Sequence, residues 1–189
     1  MISQLLVRYT YFLPFLFFFS GNVNEIQAQE VYRPGYVVTL AGDTLFGEIS
    51  DRKMGPFGGI YTKIKFKGNG RKKRYSADKI QSYRKGDSIY RSFNLDGEVK
   101  FLRLVSDGVV SLYKFELQEQ GEEMVLDIAY VKKWDNPALV RADQGILGLK
   151  RNVLIQFFSD CPPLVEKIRS KEFKYPYQLV DFYNEWKVR

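Results

Sequence analysis

Seven cations crowd into twelve residues of this chain. Lys63, Lys65, Lys67, Arg71, Lys72, Lys73 and Arg74 surround the turn signal Gly68-Asn69-Gly70, with Tyr61 and Tyr75 interleaved. Such a cluster can hold phosphates, sulfates or carboxylates, so Lys63, Lys65, Lys67, Arg71, Lys72, Lys73, Arg74 and Tyr75 are the candidate anion-binding residues. The same pattern also suits a solvated edge ribbon, on which Lys side chains keep one sheet from pairing with another.

The rest of the composition excludes more chemistry than it suggests. The chain has no His and one Cys, Cys161. Ser-His-Asp and Cys-His nucleophile pairs, His-based zinc sites, four-cysteine zinc sites and iron–sulfur clusters therefore cannot be built within this polypeptide. There is no GxGxxG, Walker A or GxSxG pattern. No catalytic residue, metal ligand or cofactor is assigned. Carboxylate chemistry stays open in principle, through Asp43, Glu48, Asp78, Asp87, Asp107 and Asp127. A glycosidase-like pair needs two carboxyl groups ~5–9 Å apart across a cleft. Four of the six sit in turn signals, where Asp is favoured for its hydrogen bonds to backbone. Asp127 interrupts an apolar strand and is expected to face solvent.

The N-terminus reads as an export signal. Arg8 precedes the apolar run Tyr9–Phe19, then come small and polar residues up to Ala28. The run is shorter than the ~20 apolar residues of a membrane span, and no Cys follows it to carry a lipid. Cleavage is expected between Ala28 and Gln29. The mature chain, 29–189, then keeps the net charge of +7, because Arg8 and Glu25 leave together. It has the length of one domain with a real core and no transmembrane span. A secreted chain with a single Cys has no internal disulfide, so the core must hold it together. Cys161, in Asp160-Cys161-Pro162-Pro163, reads as a buried thiol at a helix end.

Positioning the cations falls to a series of β-hairpins. Gly35–Ser50 (GYVVTLAGDTLFGEIS) reads as a hairpin about a two-residue Gly42-Asp43 turn, with Gly in the positive-φ position. That register sets Leu40 opposite Leu45, Val38 opposite Gly47 and Tyr36 opposite Ile49, on one apolar face. Asp51–Gly59 is a Gly- and Pro-rich loop. Ile60 to Lys67 and Arg71 to Tyr75 are the two strands of the basic hairpin, and Ser76–Lys79 is a turn in which a Ser or Asp side chain caps backbone N–H groups. A second Gly-Asp turn, Gly86-Asp87, sets Tyr83 against Tyr90. Val99–Val105 carries apolar residues on both faces and is placed centrally. Asp107-Gly108 predicts another tight hairpin to Val109–Leu117. After the acidic loop Gln118–Glu123, Met124–Val131 closes the β-rich part.

The apolar period changes after Asp135-Asn136-Pro137. Leu147, Val153, Leu154, Phe157 and Phe158 follow helical spacing up to Pro162-Pro163. Leu164, Val165 and Ile168 suit a second helix, and Leu179, Val180, Tyr183 and Trp186 a third opened near Pro176. Strands followed by helices predict an α+β fold: an antiparallel β-rich N-terminal part, as meander, sandwich or open barrel, followed by a small helical part at about 146–187, all in one domain after residues 1–28.

In their order, Gly35-Tyr36-Val37-Val38-Thr39-Leu40, Gly42-Asp43-Thr44-Leu45, Gly47-Glu48-Ile49, Ile64-Lys65-Phe66, Asp78-Lys79-Ile80, Val110-Ser111-Leu112-Tyr113, Cys161 and Tyr183-Asn184 resemble a family of small secreted Bacteroidota proteins of unknown function. The resemblance spans most of 31–186. It implies a Gram-negative envelope or secreted location, and brings no activity, cofactor or catalytic residue.

Together these features predict an exported protein, periplasmic or extracellular, with a binding or structural role. The expected partner is an anionic envelope component, lipopolysaccharide or an acidic glycan, with nucleic acid set aside because the protein is exported. The alternatives are a carboxylate-dependent glycan hydrolase, and a module that docks on anionic surfaces through the basic hairpin.

Overall fold

A computed structural model describes residues 31–51, 63–118, 125–144 and 148–188. The expected signal segment with its Ala28–Gln29 cut, the start of the strand at Ile60, the loops 52–59 and 119–123, Met124 and Leu147 lie outside the described residues.

Among the described residues ten strands form one antiparallel sheet, and three helices follow them. The strands are β1 (Arg33–Thr39), β2 (Thr44–Asp51), β3 (Lys63–Gly68), β4 (Arg71–Ser76), β5 (Ile80–Lys85), β6 (Ser88–Leu95), β7 (Glu98–Ser106), β8 (Val110–Gln118), β9 (Val125–Lys133) and β10 (Leu139–Arg141). The helices are α1 (Arg151–Phe157), α2 (Pro162–Arg169) and α3 (Pro176–Val188). The spatial order is β10-β9-β8-β7-β6-β5-β1-β2-β3-β4. Two meanders, β1–β4 and β5–β10, are thus joined where β1 pairs with β5, and among the described residues β4 and β10 are the edges. The expected α+β class holds, as a single meandering sheet. The edge strand β10 has no counterpart in the sequence reading, because three residues after Pro137 are too short to show a period.

Call the inner face the one that carries Val37, Leu45, Ile49, Ile64, Phe66, Tyr83 and, further along the sheet, Leu112, Ala129 and Val131. Their registers place them on one side. The 3-10 turn Ala77–Lys79 brings Ala77 into one cluster with Val37, Ile49, Ile80, Tyr83 and Phe101 of β7. At the β8–β9 end the helices cover the inner face. Leu154, Phe158, Cys161, Leu164, Ile168, Leu179 and Val180 have no exposed surface there. Cys161 is the buried residue before α2, whose first position is Pro162, where a missing N–H costs nothing. The opposite face of β6–β9 has its own cluster around Leu102, Tyr113 and Phe115, so β7 buries residues on both faces as expected.

Tyr83 and Tyr90 are paired and stacked, with ring centroids 4.6 Å apart. Two other hairpins differ from expectation. In the first, Val38 pairs with Thr44, Val37 with Leu45 and Tyr36 with Phe46, a slip of three residues. Gly42 does take positive φ (94°), but as the last of three loop residues, closed by bonds from Thr39 N–H to Asp43 O (2.9 Å) and from Gly42 N–H to Thr39 O (3.0 Å). This register puts Val37 in the core between Leu45 and Tyr83. Leu40 and Phe46 are left 60% and 74% exposed, with Phe46 beside the ring of Tyr36.

In the second, Asp107-Gly108 does not form a two-residue turn. Ser106 pairs with Leu112 across a bulge at Val105. The backbone of Val110 pairs instead with a helix side chain: its N–H donates to Asn184 Oδ1 (2.8 Å) and its carbonyl accepts from Asn184 Nδ2 (2.9 Å). Gly108 makes room for that amide, since a Cβ would lie 2.6 Å from Asn184 Nδ2. At Ser76–Lys79 the expected capping of backbone is replaced by a bond from the Ser76 hydroxyl to the Asp78 carboxylate.

Candidate functional site

The basic hairpin is the free end of the sheet. In β3, Ile64 and Phe66 are buried and their neighbours Lys63 and Lys67 are exposed, as alternation requires. In β4, Arg71 to Arg74 are all exposed. Pairing then sorts the cations by face. Gly68 faces Arg71, Phe66 faces Lys73 and Ile64 faces Tyr75, so Arg71 and Lys73 lie on the inner face. Lys63, Lys65, Lys67, Lys72 and Arg74 lie on the outer one. There Lys65 stands directly opposite Arg74, and Lys67 directly opposite Lys72. Like charges in direct opposition destabilise a sheet pair. Lys67 is relieved by an ion pair with Glu48 across β2–β3 at 3.0 Å. Among the described residues no carboxylate pairs with Lys63, Arg71, Lys72, Lys73 or Arg74.

On the inner face the end of the sheet opens into a groove of ≈ 650 Å³ between the β1–β2 and β3–β4 turns. Its floor is the half-buried Leu45 and Tyr75 with the ring of Phe66, only 5% exposed, beneath them; Phe46 also lines it, and Arg71, Lys73 and Asn69 stand along it. Phe66 lies against two glycines: a Cβ on Gly47 or Gly68 would come within 2.8 or 2.7 Å of its ring. Tyr75 meets that ring edge-on at 6.1 Å. Of the residues proposed from sequence, this groove gathers Arg71, Lys73 and Tyr75. The sequence reading missed Leu45 and Phe66 as floor. The signal available was Gly47, a glycine inside a strand, which marks a close approach by another group.

The candidate carboxylates are scattered. Asp43 and Asp87 stay in turns, Asp87 facing Arg84 at 3.8 Å. Glu48 is held by Lys67, and Asp78 by Ser76 and Lys79, whose bonds lower its pKa. Asp107 accepts from Ser111 Oγ (2.7 Å) and faces Arg91 (3.4 Å). Asp127 is half-buried rather than turned to solvent, bonded to Lys114 at 2.8 Å. It lies opposite Glu116, which Arg103 engages. Above that pair burial and the neighbouring Glu116 push the Tyr90 hydroxyl up to about 12. Apart from Asp43 each of these carboxylates faces a cation, and none of them lines the groove. Among the described residues no three His, Cys, Asp or Glu side chains gather as a metal site, and no helix is long and apolar enough to cross a membrane.

Comparison of the chain with protein-family models, with curated proteins and with solved structures finds no match.

Proposed function

We propose that this is an exported envelope protein that works by binding, and that its β3–β4 hairpin docks it on an anionic envelope component, lipopolysaccharide or an acidic glycan. One observation carries the reading: on the outer face of a free edge, two like-charged pairs stand directly opposed, Lys65 with Arg74 and Lys67 with Lys72. Protecting an edge from aggregation takes a charge or two along the exposed strand. Opposed pairs go further: Lys72 and Arg74 have no acidic partner among the described residues, and a polyanion lying across both strands would neutralise them. Export is supported by the order basic residue, apolar run and Ala28 at the N-terminus.

The test is binding to lipopolysaccharide vesicles across a salt titration, beside a variant with Lys65 and Arg71 to Arg74 changed to Gln. The expected result is binding that weakens steeply with salt and falls at least tenfold in the folded variant. Equal binding by both proteins, or none by either, overturns the proposal. An acidic polysaccharide in place of the vesicles separates the two anion sources.

A further inference from the structure

The two faces of the basic hairpin differ in what lies beside the cations. On the outer face the β2 neighbours of Lys65 and Lys67 are Ser50 and Glu48. On the inner face Arg71 and Lys73 stand over Phe66, Leu45 and Tyr75, along the ≈ 650 Å³ groove. That size is within the ~300–1,000 Å³ of small-molecule sites, and polar and apolar groups share the lining about equally. We infer that this groove is a binding site for a single-chain amphiphile with a phosphate head, its apolar chain on Leu45, Phe66 and Tyr75 and its phosphate between Arg71 and Lys73. The inference rests on the reading of the hairpin as an anion-binding element and adds to it a distinct ligand and a distinct face.

Three features argue for that chemistry. Arg71 and Lys73 are two residues apart on one strand face, so their stems rise roughly 7 Å apart and converge on one small anion. Arg offers a planar fork that fits a phosphate through two parallel bonds, and Lys adds a point charge. No carboxylate lines the groove, and among the described residues neither cation has an acidic partner, so a dianionic head neutralises the pair where a carboxylate head would leave one charge over. The apolar floor is held open by Gly47 and Gly68, where any side chain would displace the Phe66 ring. A polysaccharide or a nucleic acid would use the charges and leave this floor idle.

The experiment is calorimetric titration of the purified protein with octyl phosphate below its micelle concentration, with inorganic phosphate and 1-octanol as the head alone and the chain alone. The variants are Arg71→Gln/Lys73→Gln for the groove and Lys65→Gln/Lys72→Gln/Arg74→Gln for the outer face. All five positions are surface side chains, and far-UV circular dichroism checks that both variants fold. The expected result is one site for octyl phosphate, at least tenfold tighter than for either half-ligand. Affinity falls at least tenfold in the groove variant and stays within twofold in the outer-face variant. A smaller loss in the groove variant, an equal loss in both, tight binding of inorganic phosphate alone, or no binding of octyl phosphate overturns the groove site. Vesicle docking by the parent protein is read separately: it can survive each of those outcomes, and its absence in a parent that binds octyl phosphate sinks the docking proposal alone.

Discussion

At the β8–β9 end of the sheet the inner face disappears under three helices, while at the β3–β4 end it runs out to solvent between cations. Both ends are basic, and they use that charge differently. At the helical end Lys133 donates to Asp160 at 2.7 Å and lies 5.1 Å from the ring centres of Phe157 and Tyr183. Lys187 reaches the same carboxylate at 3.3 Å, and the Tyr183 hydroxyl donates to it at 2.5 Å. One carboxylate thus ties sheet, α1–α2 junction and α3 together. At the other end Arg71, Lys72, Lys73 and Arg74 follow one another along a free strand without an acidic partner among the described residues. Charge that is paired and packed on aromatic rings holds a fold together. Unpaired charge on an edge is available to something outside it.

The contrast can be broken at its strong end first. Phe158 is fully buried among α1, α2 and α3, in ring contact with Phe157 and Tyr183. Phe158→Ala should cost about 3–5 kcal/mol, as cavities of that size do. Urea unfolding checks it. A loss below about 1 kcal/mol would mean that the helices contribute little to the core. Octyl phosphate binding, the proposed property of the groove, should be unchanged wherever the variant is still folded.

Acid sharpens the same comparison. Burial would raise the Asp160 pKa, but the bonds from Lys133, Tyr183 and Lys187 outweigh it and hold the carboxyl at about 2. A carboxyl with a lowered folded pKa stabilises the protein above its unfolded value, roughly 4, and that contribution is lost as pH falls toward 2. Melting temperature should therefore drop through that window, and Asp160→Asn should remove that part of the drop. Because Asp160 is 40% exposed, solvent screening makes this effect smaller than that of Phe158→Ala. An unchanged acid limb in Asp160→Asn would show that other carboxylates carry it.

The smallest expected effect is at the weak end. Changing Lys65, Lys72 and Arg74 to Gln removes both opposed like-charge pairs, so stability should stay within about 0.5 kcal/mol of the parent or rise slightly. A clear loss of stability in urea would make those cations structural, and would bring the two ends of the sheet to the same use of charge.

Much of this architecture is legible residue by residue. Alternation at Lys63–Lys67 and the flanking turn residues mark the basic hairpin, because strand period and turn chemistry are local. Helical spacing, the Pro162-Pro163 pair and Pro176 mark α1, α2 and α3 for the same reason, and the burial of Cys161 follows from its place at a helix end. Gly42-Asp43 and Asp107-Gly108 show the limit of that locality. A glycine with positive φ serves a two-residue turn and a three-residue loop equally, so turn residues alone leave the register open.

The sequence by itself determined the class of the fold, the run of hairpins and helices, the excess of positive charge at one hairpin and the absence of histidine chemistry. All of these follow from composition and from periods of two or about four residues. Only the tertiary structure decided which residues of β1 meet the core, because Val37 gains its place from Tyr83, more than forty residues away. It alone paired Val110 with Asn184 across 74 positions. It also divided the cations between a polar face and a groove over Phe66. Pairing with β3 turns Arg71 and Lys73 to one side and Lys72 and Arg74 to the other, and contacts between distant segments leave no periodic trace in the chain.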